Sequence, residues 1–237
     1  MQPQVSWSDQ PVVGGRAGAD LRVASFLRRV YGWMFIGLMV TAGVAGWVAS
    51  TREITLTLMR NPLLYFGLFI AELGLVIFIS ARFARMSATT AALCFLGYSA
   101  LNGVTLSPIV LAYTGAALSQ AFVISAGTFG GMALWGTITK KDLTSFGHFM
   151  GMGLWGLILA SVVGLFWHDP GLYFAINVVG VIVFVGLAAY DAQKMKALAL
   201  AIPGQPSVGT AVVGALGLYL DFVNLFLFVL RLSGRRR

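Results

Sequence analysis

The stretch that decides the fold is VGTAVVGALGLYLDFVNLFLFVL, residues 208–230. Asp221 is the only charged residue within it. A helix that crosses the hydrocarbon core of a membrane needs about 20 mostly apolar residues, and this stretch is long enough. Six stretches of similar length and character precede it, at 30–50, 63–81, 88–110, 116–138, 146–167 and 172–190. A transmembrane β-strand would need about ten residues of alternating character, so the pattern predicts an all-α integral membrane protein with seven transmembrane helices.

The composition excludes the common soluble classes. Of the 237 residues, 58% are hydrophobic and 10% are charged, and the mean hydropathy is +0.86. An average soluble domain is about 45–50% apolar and about 25% charged. An ordinary cytosolic enzyme, a disordered chain and a secreted disulfide scaffold are therefore excluded, and the single cysteine, Cys94, allows no intramolecular disulfide.

The net charge of +8 does not indicate nucleic-acid binding, because the basic residues lie between the apolar stretches or at the chain ends. Cytoplasmic loops of membrane proteins carry an excess of Lys and Arg. With a cytoplasmic N-terminus, the outer loops carry only Arg52 and Arg60. The inner segments then carry Arg16, Arg22, Arg28, Arg29, Arg82, Arg85, Lys140, Lys141, Lys194 and Lys196.

This distribution predicts a membrane protein with its N-terminus in the cytoplasm. Seven spans would place Arg231 and residues 235–237, all arginine, outside, against the same rule. The last segment therefore either crosses despite its charges or re-enters and returns. Residues 1–27 are predicted to form a polar N-terminal tail, with a short amphipathic lead-in helix from about residue 20. Residues 28–237 are predicted to form the transmembrane domain.

Three acidic residues lie within or at the end of apolar spans, where a carboxylate costs roughly 2.5–3.5 kcal/mol on insertion scales. Asp221 lies well inside the seventh span, and its structural alternative is a protonated acid bonded to a helix carbonyl. Asp191 closes the sixth span and is either interfacial or part of a buried site. Glu72 lies near the middle of the second span, where we expect it to face the interior and attract cations, or else to be a neutral packing acid.

Two further polar residues are candidates for lining a pathway. Asn102 lies in the third span, close to Pro108, where a kink with local compensation by hydroxyl groups is favoured over a ligand site. Asn224 follows Asp221 by three residues and so shares its helical face. The chain contains no nucleotide-binding loop, zinc-protease motif or Ser-His-Asp arrangement, so we predict that it is not an enzyme and has no cofactor.

Four motifs make the chain recognisable: ELGL at 72–75, TKKDL at 139–143, AYDAQK at 189–194 and LYLDFVNLF at 218–226. With them the chain resembles the Bax inhibitor-1 family, in its bacterial YccA-type branch, from about residue 28 to the C-terminus. The resemblance implies six helices around a central last helix and a pH-sensitive passive calcium leak. The bacterial branch also implies a place in the inner (plasma) membrane. Bacterial relatives are also linked to a membrane-bound ATP-dependent protease, whose activity they modulate.

The resemblance also implies that Asp191 and Asp221 form a pH-sensing pair. They would then also be weak ligands for calcium, the permeant ion. Some family members place an arginine near this pair in the second helix, where this chain has Glu72 instead. Two carboxyls in a low-dielectric bundle cannot comfortably both ionise, so they share a proton. Loss of that proton replaces a hydrogen bond by repulsion and presents oxygen ligands that suit Ca²⁺.

Two other functions compete with a channel. An intramembrane aspartyl protease would also use Tyr190 and Asp191, but the chain has LYLD at 218–221 instead of Gly-x-Gly-Asp and lacks the Pro-Ala-Leu element. A non-conducting regulator of other membrane proteins, such as the protease, would need no ion pathway. For each of these functions, we expect the chain to be embedded in the lipid bilayer.

Overall fold

The computed structural model describes residues 14–82, 86–202 and 206–233. Arg85 and residues 235–237, which enter the charge pattern, lie outside these ranges. The described residues form eight helices, seven of them long and apolar enough to span a membrane, which confirms the all-α prediction. The helices are α1 (Gly14–Ser50), α2 (Arg52–Arg60), α3 (Pro62–Arg82), α4 (Ala88–Ala112), α5 (Gly115–Ile138), α6 (Thr144–Phe166), α7 (Pro170–Ala201) and α8 (Val208–Ser233).

The last helix, α8, lies at the centre of the bundle. In its most apolar stretch 67% of the residues are buried, against 11% for α3 and 17% for α6. The helices α1, α4, α5 and α7 pack directly on α8, whereas α3 packs on α4 and α6 packs on α7. Six long helices therefore surround α8 as predicted. Four of them contact it directly, and the other two, α3 and α6, lie outside these four.

The first helix begins well before the predicted span. Val23, Phe26 and Leu27 are buried in the core, with Phe26 completely enclosed. Their spacing continues through Val30 and Met34, which are also buried, and this is the apolar stripe of a helix that packs along one side. Residues 18–27 were expected in the polar tail, with a short lead-in helix from about residue 20. They are helical, but they pack as part of the bundle.

The seventh helix, α7, continues eleven residues beyond its predicted end at residue 190 and is 32 residues long. Ala192, Met195 and Ala199 are buried, so packing against the bundle maintains the helix past the end of the apolar run. Near this end, Nζ of Lys196 donates a hydrogen bond to the carbonyl oxygen of Thr137, in the last turn of α5, at 2.7 Å. Lys196 thus stabilises the negative end of a helix.

The last segment crosses the bundle and does not re-enter. α8 is one continuous helix of 26 residues, about 39 Å at 1.5 Å per residue. Gly214, near its start, lies against Met195 and Val30, whereas Phe228, near its end, lies against Gly180 in the first half of α7. α7 and α8 are therefore antiparallel. Arg231 lies at the end of the bundle opposite the lysine face, which we define as Lys140, Lys141, Lys194 and Lys196.

α5 and α7 approach each other closely at Gly136. A Cβ atom there would overlap the backbone carbonyl group of Ala189, and a backbone inside a packed bundle cannot move aside as a flexible side chain can. Glycine is thus required at this position by the distance between the two helices.

We expect Gly136→Ala to lower stability, by about 1–3 kcal/mol as for other overpacked sites. Gly131→Ala is the matched control on the same helix. A Cβ at Gly131 would meet no atom of another helix within 4 Å. The measurement is the thermal midpoint of unfolding of both variants in detergent. Equal midpoints would show that α5 and α7 are not held together at Gly136.

Candidate functional site

The structure brings Asp191 and Asp221 together at the interface of α7 and α8. Oδ2 of Asp191 lies 3.2 Å from the position that a Cβ would take on Gly217, one helical turn before Asp221. Because each Cα–Cβ bond tilts toward the N-terminus of its own helix, the two side chains of this antiparallel pair lean toward each other. The two carboxyls interact electrostatically.

Asp191 lies deeper than its place at the end of an apolar run suggested. Lys196 of α7 is level with the last turn of α5, to which it donates a hydrogen bond. Asp191 precedes Lys196 by five positions, or about 7.5 Å along α7. Asp191 is half-buried, so the extension of α7 places it on a packed helix of the bundle and not in a surface loop.

Asp221 is the more enclosed member of the pair. Only 7% of the residue is exposed. Its buried Oδ2 has no hydrogen-bond partner among the described residues. Buried polar atoms are nearly always hydrogen-bonded, so an unpartnered carboxyl oxygen beside a second carboxyl is unusual. Lys194 interacts electrostatically with both carboxyls, and its ammonium lies 6.0 Å from the centre of the Tyr190 ring.

The pair offers few protein ligands to a metal ion. Within the described ranges, no group of three or more His, Cys, Asp and Glu side chains is arranged to hold one. Ca²⁺ takes six to eight oxygen ligands, so Asp191 and Asp221 would supply only part of a coordination sphere.

Glu72 and Asn102 meet in a second polar cluster, where α3 packs on α4. Oγ1 of Thr105 donates to Oε1 of Glu72 at 2.6 Å, and Nδ2 of Asn102 lies 3.4 Å from Oε2. The Tyr219 hydroxyl donates to Oδ1 of Asn102 at 3.0 Å and lies 2.7 Å from Oγ1 of Thr41. We call these five residues the Glu72 network, and it connects α1, α3, α4 and α8.

A hydroxyl group compensates locally for Pro108 in α4, as predicted. Pro108 cannot donate to the carbonyl oxygen of Val104, four residues earlier. The hydroxyl of Ser107 donates to that oxygen at 2.7 Å. The hydroxyl of Tyr65 on α3 donates to the carbonyl oxygen of Thr105 at 2.7 Å. Hydroxyl groups thus compensate for the proline.

The two clusters lie on opposite sides of α8. Tyr219 and Asp221 are two residues apart, so they point about 200° apart around the helix. Tyr219 bonds toward α1 and α4, whereas Asp221 interacts with Asp191 on α7. Asn224 joins neither cluster through a hydrogen bond of its amide group, because its Nδ2 donates to the carbonyl oxygen of Leu220 in its own helix at 2.8 Å.

The motif at 189–194 is tied to the motif at 139–143 by one side chain. Oε1 of Gln193 accepts from the backbone N–H of Leu143, and its Nε2 donates to the carbonyl oxygen of Lys141, both at 2.8 Å. In the same connection, Oδ1 of Asp142 accepts from the N–H and the hydroxyl of Thr144. These two bonds lower the pKa of the Asp142 carboxyl from its ordinary value.

Several residues of these clusters were not predicted as site residues. Tyr219 lies in the motif at 218–226, but an aromatic residue in an apolar helix is usually interpreted as an ordinary core residue. Thr41 has no sequence signal, because its role depends on α1 packing beside α8. Gln193 lies in a recognisable motif, but only the fold shows that it bonds to the connection before α6.

The comparisons with known proteins cover nearly the whole chain. The family model described as Inhibitor of apoptosis-promoting Bax1 matches residues 23–237. The inner membrane protein YbhL of Escherichia coli K12 is 43% identical over 229 residues, 95% of this chain and 96% of YbhL. An uncharacterised protein of Deinococcus radiodurans is 41% identical over 218 residues, 91% of this chain and 92% of its own. An uncharacterised membrane protein of Streptococcus pyogenes serotype M1 is 37% identical over 219 residues, 92% and 95% of the two chains.

We expect Thr105→Val to lower the thermal midpoint of unfolding, because it removes the hydroxyl that bonds to the buried carboxyl of Glu72. A lost bond to such a group typically costs about 1–3 kcal/mol. Thr57→Val is the control, since the exposed hydroxyl of Thr57 bonds only to the carbonyl oxygen of Glu53 in its own helix. If the two variants unfold at the same temperature, the Glu72 network does not stabilise the bundle.

Proposed function

We propose that this chain, which belongs to the Bax inhibitor-1 family, is a pH-sensitive passive calcium leak channel gated by Asp191 and Asp221. The observation that carries the proposal is the buried, unpartnered Oδ2 of Asp221 beside the carboxyl of Asp191. No packing role needs a carboxyl in such a place, because an apolar side chain would avoid the cost of burying it.

In the closed state the two carboxyls share one proton. The shared proton gives the unpartnered oxygen of Asp221 a hydrogen bond and holds α7 against α8 near the lysine face. Gly217 contributes by leaving room beside its Cα for Oδ2 of Asp191. A larger residue there would push this carboxyl away from Asp221.

Loss of the shared proton opens the site. Two carboxylates on neighbouring helices repel each other strongly where the dielectric constant is low, so α7 and α8 separate locally. The same oxygens then face a cation. Since two carboxylates are an incomplete set of ligands for Ca²⁺, the ion binds weakly and passes on, as a leak requires.

Glu72 and Asn102 are the proposed polar groups on the other side of α8. Oε2 of Glu72 is held only by the long 3.4 Å contact with Asn102, which makes it the more available oxygen for a passing cation. A displacement of α8 would reach Glu72 through Tyr219, because that hydroxyl bonds to Asn102.

The test is calcium flux into liposomes that contain only this protein, measured across a range of pH. The wild-type flux is expected to rise with pH. Asp191→Asn and Asp221→Asn should each abolish the pH dependence, because each removes one member of the coupled pair. The double variant should add little to either single one. Glu72→Gln is the matched control, since it removes a buried carboxyl outside the pair and should leave the pH dependence in place.

Two results would contradict the proposal. Folded wild-type protein that conducts no calcium at any pH would favour a non-conducting regulator. Additive effects of the two aspartate substitutions would mean that the residues are not partners and that Asp191 is an interfacial anchor. Gel filtration and circular dichroism of each variant separate a loss of flux from a loss of fold.

A further inference from the structure

A basic cavity opens on the lysine face, between the connection 139–143 and the last turns of α7. Its volume is about 350 Å³, and three lysines line it, Lys140, Lys141 and Lys194. Thr144 and Tyr190 also contribute to its wall. It is separate from the interior of the bundle, where the Glu72 network lies.

The walls of this cavity are fixed in place. The amide of Gln193 bonds to the backbone on both sides of Asp142, so the connection that carries Lys140 and Lys141 is fastened to α7, which carries Lys194. The ring of Tyr190 is seated against Gly147, where a Cβ would overlap it. Three lysines are therefore held around one space.

The charges in the cavity suit an anion. Among the described residues, Asp142 is the only acidic one that lines the cavity, and Oδ1 of its carboxyl is already bonded twice to Thr144. Three lysines against one aspartate leave a net positive charge. The cavity also borders the start of α6, a helix of 23 residues, and the N-terminus of a helix attracts anions.

The position of the cavity indicates where the anion comes from. The connection 139–143 joins two membrane spans, so the cavity lies at the level of the lipid headgroups. Ile138 and Phe149, on the two helices that this connection joins, are exposed by 65% and 62%, as expected of side chains that contact acyl chains. Basic pockets between transmembrane helices are known to bind anionic headgroups.

We propose that Lys140, Lys141 and Lys194 form a binding site for a phosphate group, and that an anionic phospholipid of the surrounding leaflet supplies it. The ammonium groups neutralise the phosphate, and the tails lie along the apolar sides of α5 and α6. The site is independent of calcium conduction, because it needs only the connection 139–143 and α7. It is nevertheless close to the aspartate pair, since Lys194 interacts with Asp191 and Asp221.

The test is native mass spectrometry of the full chain in a neutral detergent, titrated with phosphatidylglycerol. Lys140→Gln/Lys141→Gln should lower the affinity about 30-fold, since each basic residue near an anionic surface contributes a factor of about five to the affinity. Lys140→Arg/Lys141→Arg should keep the affinity of the wild type. Arg28→Gln/Arg29→Gln is the matched control, because these two exposed arginines lie on α1 at the same end of the bundle.

Three further results decide the matter. Phosphatidylcholine, which has a phosphate but no net charge, should bind weakly and equally to wild type and all variants. Displacement of phosphatidylglycerol by inorganic phosphate, lost in Lys140→Gln/Lys141→Gln, would support the phosphate site but assign it to free phosphate. Equal phosphatidylglycerol affinity of wild type and Lys140→Gln/Lys141→Gln would overturn the proposal. So would an equal loss in the Arg28→Gln/Arg29→Gln control, because the attraction would then be diffuse.

Discussion

A carboxyl group cannot be exposed to lipid tails without a cost of several kcal/mol, and this constraint governs the place of α8. Asp221 is near the middle of the last apolar stretch, so the helix that carries it must be enclosed by the others. Four helices pack on α8, and the antiparallel contact with α7 brings a second carboxyl, Asp191, to the same interface. The enclosed position of Asp221 thus follows from this constraint, and the packing of α7 on α8 places Asp191 beside it.

The two acidic clusters differ in how their carboxyls are satisfied. Glu72 receives a short bond from Thr105 and belongs to a network that ends at Thr41, so its surroundings stabilise one arrangement of four helices. Oδ2 of Asp221 has no such partner among the described residues. A site built for rigidity would resemble the first cluster, whereas a site that changes with proton binding needs the second.

Much of the fold could be predicted from the sequence, because apolar runs of the right length determine the spans. The start of α1 and the end of α7 could not be predicted in this way, because they depend on packing against neighbouring helices. Phe26 and Met195 lie beyond the predicted spans and are buried in the core. Asp191 and Asp221 were predicted as a pair from the family resemblance. Gln193 was not predicted as a structural contact, because its partners lie about fifty residues away in sequence.

The most direct test of the central claim is an infrared titration of the carboxyl groups of wild type, Asp191→Asn and Asp221→Asn. Coupling between two sites is reciprocal. The wild-type pair should therefore titrate in two separated steps, and each variant should titrate in a single step below the upper of these two. If each substitution only deletes its own signal and leaves the other midpoint unchanged, the two carboxyls do not share a proton, and the proposed gate is wrong.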